Sequence, residues 1–241
     1  MTISTRTVAY RDGDTALSGH LAWEDSQPGP LPGLLLIHGG GGLDNHARSQ
    51  AARYAGLGLA VLACDMFGEG TMGDRERTVA LLTGFRNDPD RLVQRAMAGI
   101  SALAGCPEAD GCLAAVGFCF GGMSAITLAR AGADLAGVIS MHGALSTVRR
   151  AEPGRVRAKV LACHGAIDPH VPWNDVAAFA EEMNEAGADW QLNAYSGAMH
   201  GFTHAGEEPR PGVAYHEPTD RRSFEAARLF LDELRGRVPV A

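Results

Sequence analysis

The chain has 241 residues, of which 46% are hydrophobic and 20% are charged, a balance typical of a soluble globular protein with a full core. Its formal net charge is −7 and it has no basic stretch, which argues against a nucleic-acid partner. No apolar run approaches the roughly 18 residues that a membrane span requires, and the N-terminus lacks a signal peptide's apolar core. We therefore expect neither nucleic acid nor a membrane as a partner.

The cysteines and histidines bear on compartment and metal binding. The five cysteines form an odd set without a CxxC pair, which favours a reducing compartment, and we expect a cytoplasmic protein. Cys64 and Cys163 end strand-like apolar runs and are interpreted as structural. The nine histidines include no HExxH motif and no Cys/His cluster at zinc spacing, so we expect neither a metal nor another cofactor.

Secondary-structure patterns alternate regularly along the chain. Two alternating runs, 2–10 and 15–23, flank a tight turn at 12–14 and predict a β-hairpin. After a loop at 26–32, the predicted strands are 33–38, 59–64, 112–116, 135–141, 158–163 and 190–195. The predicted helices are 44–57, 75–84, 89–105, 123–130, 173–186 and 220–234.

This alternation predicts an α/β fold: one domain, residues 1–241, with a mostly parallel, doubly wound sheet and an N-terminal β-hairpin. The helical stretch 71–99 is the candidate for a lid or pocket wall. Five apolar side chains are candidates for pocket lining or for core packing: Phe67, Phe85, Trp173, Met199 and Phe202.

The segment Gly117-Phe-Cys-Phe-Gly-Gly122 joins a predicted strand to a predicted helix. Gly-x-Cys-x-Gly at such a turn is the pattern of a nucleophile elbow, with Cys119 in the nucleophile position. The tight turn requires glycine at its flanks, and the N-terminus of the following helix favours the thiolate. The alternative is a small buried cysteine in an ordinary turn. We interpret Cys119 as a nucleophile.

Two later loops supply the partners that such a thiol needs. Asp168 follows the predicted strand 158–163, and His200 follows the predicted strand 190–195. Nucleophile, acid and histidine thus have the chain order of α/β-hydrolases, and all three come from the carboxyl ends of strands. Taken singly, Asp168 could be a plain turn residue and His200 a surface histidine. Their joint placement predicts a catalytic triad of Cys119, Asp168 and His200.

A glycine run follows the first buried strand, in His38-Gly-Gly-Gly-Gly42. Acyl transfer needs two N–H donors for the oxyanion, one of them from the residue after the nucleophile. We expect these donors to be the N–H groups of Phe120 and Gly40, because HGGG-type loops supply the second one. A phosphate-binding loop is disfavoured, because residue 44 is Asp and no Gly-Lys-Ser/Thr follows.

With these motifs, the chain resembles the dienelactone hydrolase family of α/β-hydrolases over nearly its whole length. The segments that carry the resemblance are His38–Leu43, Asp65–Gly70, Gly117–Gly122, His164–Asp168 and His200–Phe202. The resemblance implies a compact single domain and a Cys-Asp-His triad, which maps onto Cys119, Asp168 and His200. It also implies that the chemistry needs no metal or organic cofactor.

The chain departs from dienelactone hydrolases proper at two places. Those enzymes carry a glutamate near the nucleophile, where this chain has Gly39, and the thiolate is then expected to be persistent rather than triggered by substrate. They also hold the substrate carboxylate with arginines, one of them at the position of Thr203-His204 here. The other lies in the mid-chain stretch, where Arg75, Arg77 or Arg86 could substitute. A neutral, more apolar ester is therefore the expected substrate.

Three functions remain open from the sequence. The first is hydrolysis of small neutral carboxylic esters or lactones through a thioester on Cys119. The second is promiscuous attack of the same thiol on phosphotriesters, and the third is a non-catalytic, ligand-binding protein with a hydrolase fold. A homodimer is the expectation for the oligomeric state, because it is the commonest assembly.

Overall fold

The structure is a computed structural model that describes residues 2–26, 28–71 and 73–236. In these ranges the strands are β1 Ile3–Asp12, β2 Thr15–Glu24, β3 Leu31–Ile37, β4 Ala60–Cys64, β5 Ala109–Phe118, β6 Gly137–Met141, β7 Lys159–Gly165 and β8 Trp190–Tyr195. The helices are α1 Asn45–Ala55, α2 Arg75–Asn87, α3 Pro89–Ala104, α4 Phe120–Arg130, α5 Trp173–Glu185 and α6 Glu217–Leu234. Residue 27 of the predicted loop 26–32 and residue 72 of the stretch 71–99 lie outside the described ranges, as do residues 1 and 237–241 of the predicted domain.

The chain divides into two compact units, with the boundary in sequence between Val116 and Gly117. In the first unit, β1 and β2 pair antiparallel from Ile3 with Glu24 to Asp12 with Thr15. Strand β2 pairs antiparallel with β4, and β4 pairs parallel with β3, which gives the order β1-β2-β4-β3. The N-terminal hairpin is therefore confirmed, and it leads into parallel pairing.

Two helices of the first unit pack on its strands. Helix α1 contacts β2, β3 and β4, and it begins where the side chain of Asp44 accepts a hydrogen bond from Ala47 N–H at 2.9 Å. Helix α3 contacts β1, β3 and β4. Its buried Arg95 donates to Asp12 and to the carbonyl of Met66, both at 2.7 Å. This guanidinium ties the hairpin turn to the helix and to the loop after β4.

In the second unit, β6, β7 and β8 pair in parallel, in that order. Helix α4 packs on β6, and α6 packs on β6 and β7. A buried ion pair joins α4 to α5, with the Arg130 guanidinium donating to both carboxylate oxygens of Glu182 at 2.7 and 2.8 Å. The loops after these parallel strands open at one edge, where open α/β sheets carry their functional residues.

The predicted α/β class, with a mostly parallel sheet behind an N-terminal hairpin, is confirmed. Helix α6 begins at Glu217, three residues before the predicted start, because Pro218 occupies its first turn and acidic side chains complement the helix dipole there. Within the stretch 71–99, which stays a candidate lid or pocket wall, α3 packs on the strands. None of the helices within the described ranges is long and apolar enough to cross a membrane.

Candidate active site

Cys119 lies in the turn between β5 and α4, with a positive φ of 55° and ψ of −112°. A Cβ atom on Gly117 would lie 1.9 Å from the carbonyl oxygen of Gly121, so only glycine fits there. The backbone N–H of Cys119 donates to the carbonyl of Met141 at 3.0 Å, and its carbonyl accepts from Met123 N–H at 3.1 Å. The sulfur therefore lies at the N-terminus of α4, on a strained residue whose N–H and carbonyl groups are both hydrogen-bonded.

Asp168 and His200 are brought together by the loops after β7 and β8. The ring nitrogen Nδ1 of His200 lies 2.8 Å from Asp168 Oδ2, and both residues are buried. The other carboxylate oxygen, Oδ1, accepts a hydrogen bond from His170 N–H at 2.7 Å. Because Asp168 can only accept when ionised, His200 carries a proton on Nδ1, and Nε2 is the nitrogen left to interact with Cys119.

Electrostatics at this site favour a charged histidine. Burial alone lowers the pKa of His200, but hydrogen bonds to the Asp168 carboxylate and the Cys119 sulfur, with their charges, raise it to about 10. Burial would raise the pKa of Asp168, yet the hydrogen bond and charge of His200 hold it below its usual value. The site therefore favours the protonated, imidazolium form of His200 beside an ionised Asp168.

The lowered pKa of Asp168 gives a first prediction. A carboxyl group with a folded-state pKa below its unfolded value stabilises the fold above that unfolded value, near 3.8, and the gain is lost as pH falls through the folded pKa. We expect Asp168→Asn to be less stable than wild type at pH 6, with a difference that stays nearly constant down to about pH 4.5 and shrinks below it. Urea unfolding of both proteins across this range measures it. A difference independent of pH would contradict the charge-based account.

The glycine loop belongs to the first unit and is shaped by the buried His38. Its Nδ1 lies 2.7 Å from the carbonyl of Gly39, and its Nε2 accepts from Met66 N–H at 3.2 Å. Burial lowers the pKa of His38, so the ring stays neutral with its proton on Nδ1. This imidazole ties the start of the glycine loop to the loop after β4. Gly40, the expected oxyanion donor, is half-buried within that loop.

A cavity of about 180 Å³ opens between this glycine loop and the loop after β4. Its walls include Gly42, Leu43, Phe67, Glu69 and Thr71. Among the five apolar candidates, the buried side chains are those of Phe67, Phe85 and Phe202, whereas Trp173 and Met199 are 55% and 36% exposed.

Two histidines beside His200 were not identified from the sequence. The rings of His142 and His170 meet the His200 ring edge-on, with centroids 5.2 and 5.3 Å away. Neither residue belongs to a recognisable motif. The one available signal was position: His142 directly follows the predicted strand 135–141, at the edge where Asp168 and His200 were expected.

Comparisons with known proteins identify the family of the chain. The family model described as "Dienelactone hydrolase family" matches residues 17–234, a segment that includes the boundary between the two units. A dienelactone hydrolase-like promiscuous phosphotriesterase from metagenomic libraries is 36% identical, with a TM-score of 0.90 over 97% of this chain and 99% of that one.

Two further relatives show similar identity. A solved structure named m3DLH is 38% identical, with a TM-score of 0.90 over 97% of this chain and 99% of that one. An uncharacterised protein of Caenorhabditis elegans is 35% identical over 158 residues, which cover 63% of this chain and 98% of that protein. The chain belongs to the dienelactone hydrolase family and is a hydrolase of ester bonds.

Proposed function

We propose that the chain hydrolyses small neutral carboxylic esters or lactones through a thioester on Cys119. The observation that carries this proposal is the position of His200, which shares hydrogen bonds with the Asp168 carboxylate and the Cys119 sulfur. A thiol, a histidine and an orienting carboxylate in this relation form the arrangement that activates a sulfur nucleophile.

Acylation begins from a thiolate–imidazolium pair, since the raised pKa of His200 keeps its ring protonated at neutral pH. The thiolate of Cys119 attacks the ester carbonyl, and an oxyanion forms. The proposed donors to that oxyanion are the N–H groups of Phe120 and Gly40. When the C–O bond breaks, the imidazolium gives its Nε2 proton to the departing alkoxide, which leaves a thioester beside a neutral His200.

Deacylation then uses the neutral ring as a base. Acylation removes the charge of the sulfur, which is one of the causes that raise the pKa of His200. The neutral Nε2 takes a proton from water as the water oxygen attacks the thioester carbonyl. The C–S bond breaks, the acid departs, and the thiolate–imidazolium pair is restored. Asp168 keeps the ring in one tautomer throughout.

A neutral and apolar substrate is favoured by the side chains around His200. Thr203 is buried, and its hydroxyl lies 2.8 Å from His142 Nε2, so this position offers no cation to a substrate carboxylate. Ile167, Trp173 and Met199 expose 53%, 55% and 36% of their surfaces. The loops that carry them are joined by the bond from Ile167 N–H to the carbonyl of Ala198 at 3.1 Å.

The decisive experiment follows acylation directly. Wild-type protein mixed with excess p-nitrophenyl acetate is expected to release p-nitrophenol in a burst and then turn over, because a thioester forms before it hydrolyses. Intact-mass analysis at short times, followed by peptide mapping, should find one acetyl group on Cys119. Turnover without any acyl adduct on Cys119, even after acid quench, would reject the covalent route.

Phosphotriester hydrolysis is a second candidate, favoured by the likeness to the promiscuous phosphotriesterase at 36% identity. The same thiolate would attack phosphorus, expel the phenolate and leave a phosphorylated sulfur for water to cleave. Diethyl p-nitrophenyl phosphate, assayed beside p-nitrophenyl acetate, separates the two activities. A kcat/KM greater for the phosphotriester would make it the main substrate class. Inertness of folded protein toward both compounds would favour the ligand-binding alternative.

The cytoplasm is the compartment we propose, because none of the five cysteines, all of them within the described residues, forms a disulfide. A reducing environment would also keep the proposed nucleophile in its reactive form.

A further inference from the structure

Backbone strain marks a residue that the mechanism above does not use. In the ranges that the structure describes, two residues other than glycine have positive φ angles: Cys119 at 55° and His142 at 43°. Such conformations are strained and persist where the surrounding structure requires them, often at functional sites. The elbow accounts for Cys119, whereas His142 belongs to no elbow and no tight hairpin.

The backbone around His142 packs against the turn that carries Cys119. His142 directly follows β6, and its N–H donates to the carbonyl of Cys163 at 2.9 Å. The carbonyl of the preceding residue, Met141, accepts the N–H of Cys119. On the other side, a Cβ atom on Gly143 would lie 2.5 Å from the carbonyl carbon of Gly122 in α4. His142 therefore stands in a segment that contacts the nucleophile's own turn.

The side chain of His142 is directed at the histidine of the site. It is fully buried, and its Nε2 lies 2.8 Å from Thr203 Oγ1, three residues after His200. Its ring meets the His200 ring at a centroid distance of 5.2 Å and an angle of 65°. It also packs edge-on against Phe202, at 4.8 Å and 84°. One imidazole thus contacts the loop 200–203 at three residues.

We propose that His142 is a positioning residue that fixes the ring plane of His200 relative to the sulfur of Cys119; this inference rests on the proposed function. The hydrogen bond to Asp168 holds Nδ1 but leaves the ring able to tilt about that contact, which would swing Nε2 away from the sulfur. A buried ring on the flank of His200 removes this freedom. The positive φ is the backbone conformation that directs the side chain of residue 142 to that place.

The test uses variants that separate the ring from its hydrogen bond. His142→Asn keeps a polar side chain tolerant of positive φ but removes the ring, and His142→Phe keeps a ring but loses the bond to Thr203. We expect His142→Asn to lower kcat for p-nitrophenyl acetate by about 10²-fold with little change in KM, the cost of misplacing a reacting group by about 1 Å. His142→Phe should retain more of kcat than His142→Asn.

A second readout does not depend on ester turnover. The pH profile for alkylation of Cys119 by iodoacetamide reports the thiolate–imidazolium pair, and His142→Asn should move this profile to higher pH. His216→Phe is the matched control, because His216 also bonds a threonine, with Nδ1 2.7 Å from Thr219 Oγ1, in the same unit. This control should leave both kcat and the alkylation profile unchanged.

Activity and the alkylation profile together decide whether His142 positions His200. Folded His142→Asn with wild-type kcat and an unshifted alkylation profile overturns the proposal, since a packing role would change only the melting temperature. If the asparagine variant does not fold, His142→Gln decides by the same two measurements, because it also removes the ring but fills more of the buried space. A wild type that turns over no ester, yet whose alkylation profile shifts on substitution of His142, would reject the proposed function and keep the positioning role.

Discussion

Replacing Cys119 with alanine is expected to lower kcat for p-nitrophenyl acetate by about 10⁴-fold or more, because the methyl group has no lone pair to attack the carbonyl. The substitution removes only a sulfur from a half-buried side chain, so the fold should survive it. The strained backbone at this residue is unchanged, since alanine also carries a Cβ atom. Stopped-flow release of p-nitrophenol measures the effect, and the acyl adduct should vanish with it.

Cys112→Ala is the matched control for this prediction. Cys112 is a free, half-buried thiol on β5, and its loss should leave kcat within about twofold of wild type. Burial raises the pKa of Cys112 to about 11, so this thiol is a poor nucleophile at neutral pH. Rates that fall equally in the two variants would mean that the elbow is misread.

Asp168→Asn is expected to lower kcat by about 10³–10⁴-fold while the protein remains folded at neutral pH. The carboxylate accepts from Nδ1 of His200 through Oδ2 and from His170 N–H through Oδ1. An asparagine keeps its oxygen on the His170 N–H and turns its NH₂ group toward Nδ1, which must then lose its proton. The proton moves to Nε2 of a neutral ring, so the imidazolium partner of the thiolate is lost.

Asp134→Asn, an exposed carboxylate in the same unit, is the control for the loss of one negative charge. It should leave kcat and its pH dependence unchanged. Asp168→Asn should also move the pH profile for alkylation of Cys119 to higher pH, because the charge that favours thiolate is weakened. Full activity in Asp168→Asn at neutral pH would remove Asp168 from the triad and leave another group to orient His200.

The candidate site residues that the sequence predicts are those that belong to recognisable local patterns. The elbow can be predicted because Gly117 and Gly121 flank Cys119 at a strand-to-helix turn. The glycine at 117 is required because a Cβ atom there would clash with the carbonyl oxygen of Gly121. Asp168 and His200 can be predicted as partners because the loops that follow parallel strands lie at the same edge of the sheet. Periodicity and turn residues located the strands and helices, since those elements depend on local sequence.

His142 and His170 could not be identified in this way, because their roles depend on contacts between segments far apart in the chain. No residue near His142 in the sequence predicts its positive φ. This conformation goes with the contact of Gly143 with α4 and with the bond to Thr203. The anchoring of α3, in the stretch 71–99 interpreted as a lid or pocket wall, could not be identified for a similar reason. Its buried Arg95 pairs with Asp12, a partner 83 residues earlier.

The positive φ angle at Cys119 sets a limit on how this enzyme can be made more heat-tolerant. At the fully buried His142, glycine would leave a cavity that outweighs any relief of the backbone. At the half-buried Cys119, glycine would relieve the backbone and gain stability of the order of 1 kcal/mol. Selection for thermal tolerance alone would therefore favour replacing the proposed nucleophile. A stabilising library screened only by melting temperature should be enriched in inactive proteins at this codon, which is best held fixed in any such search.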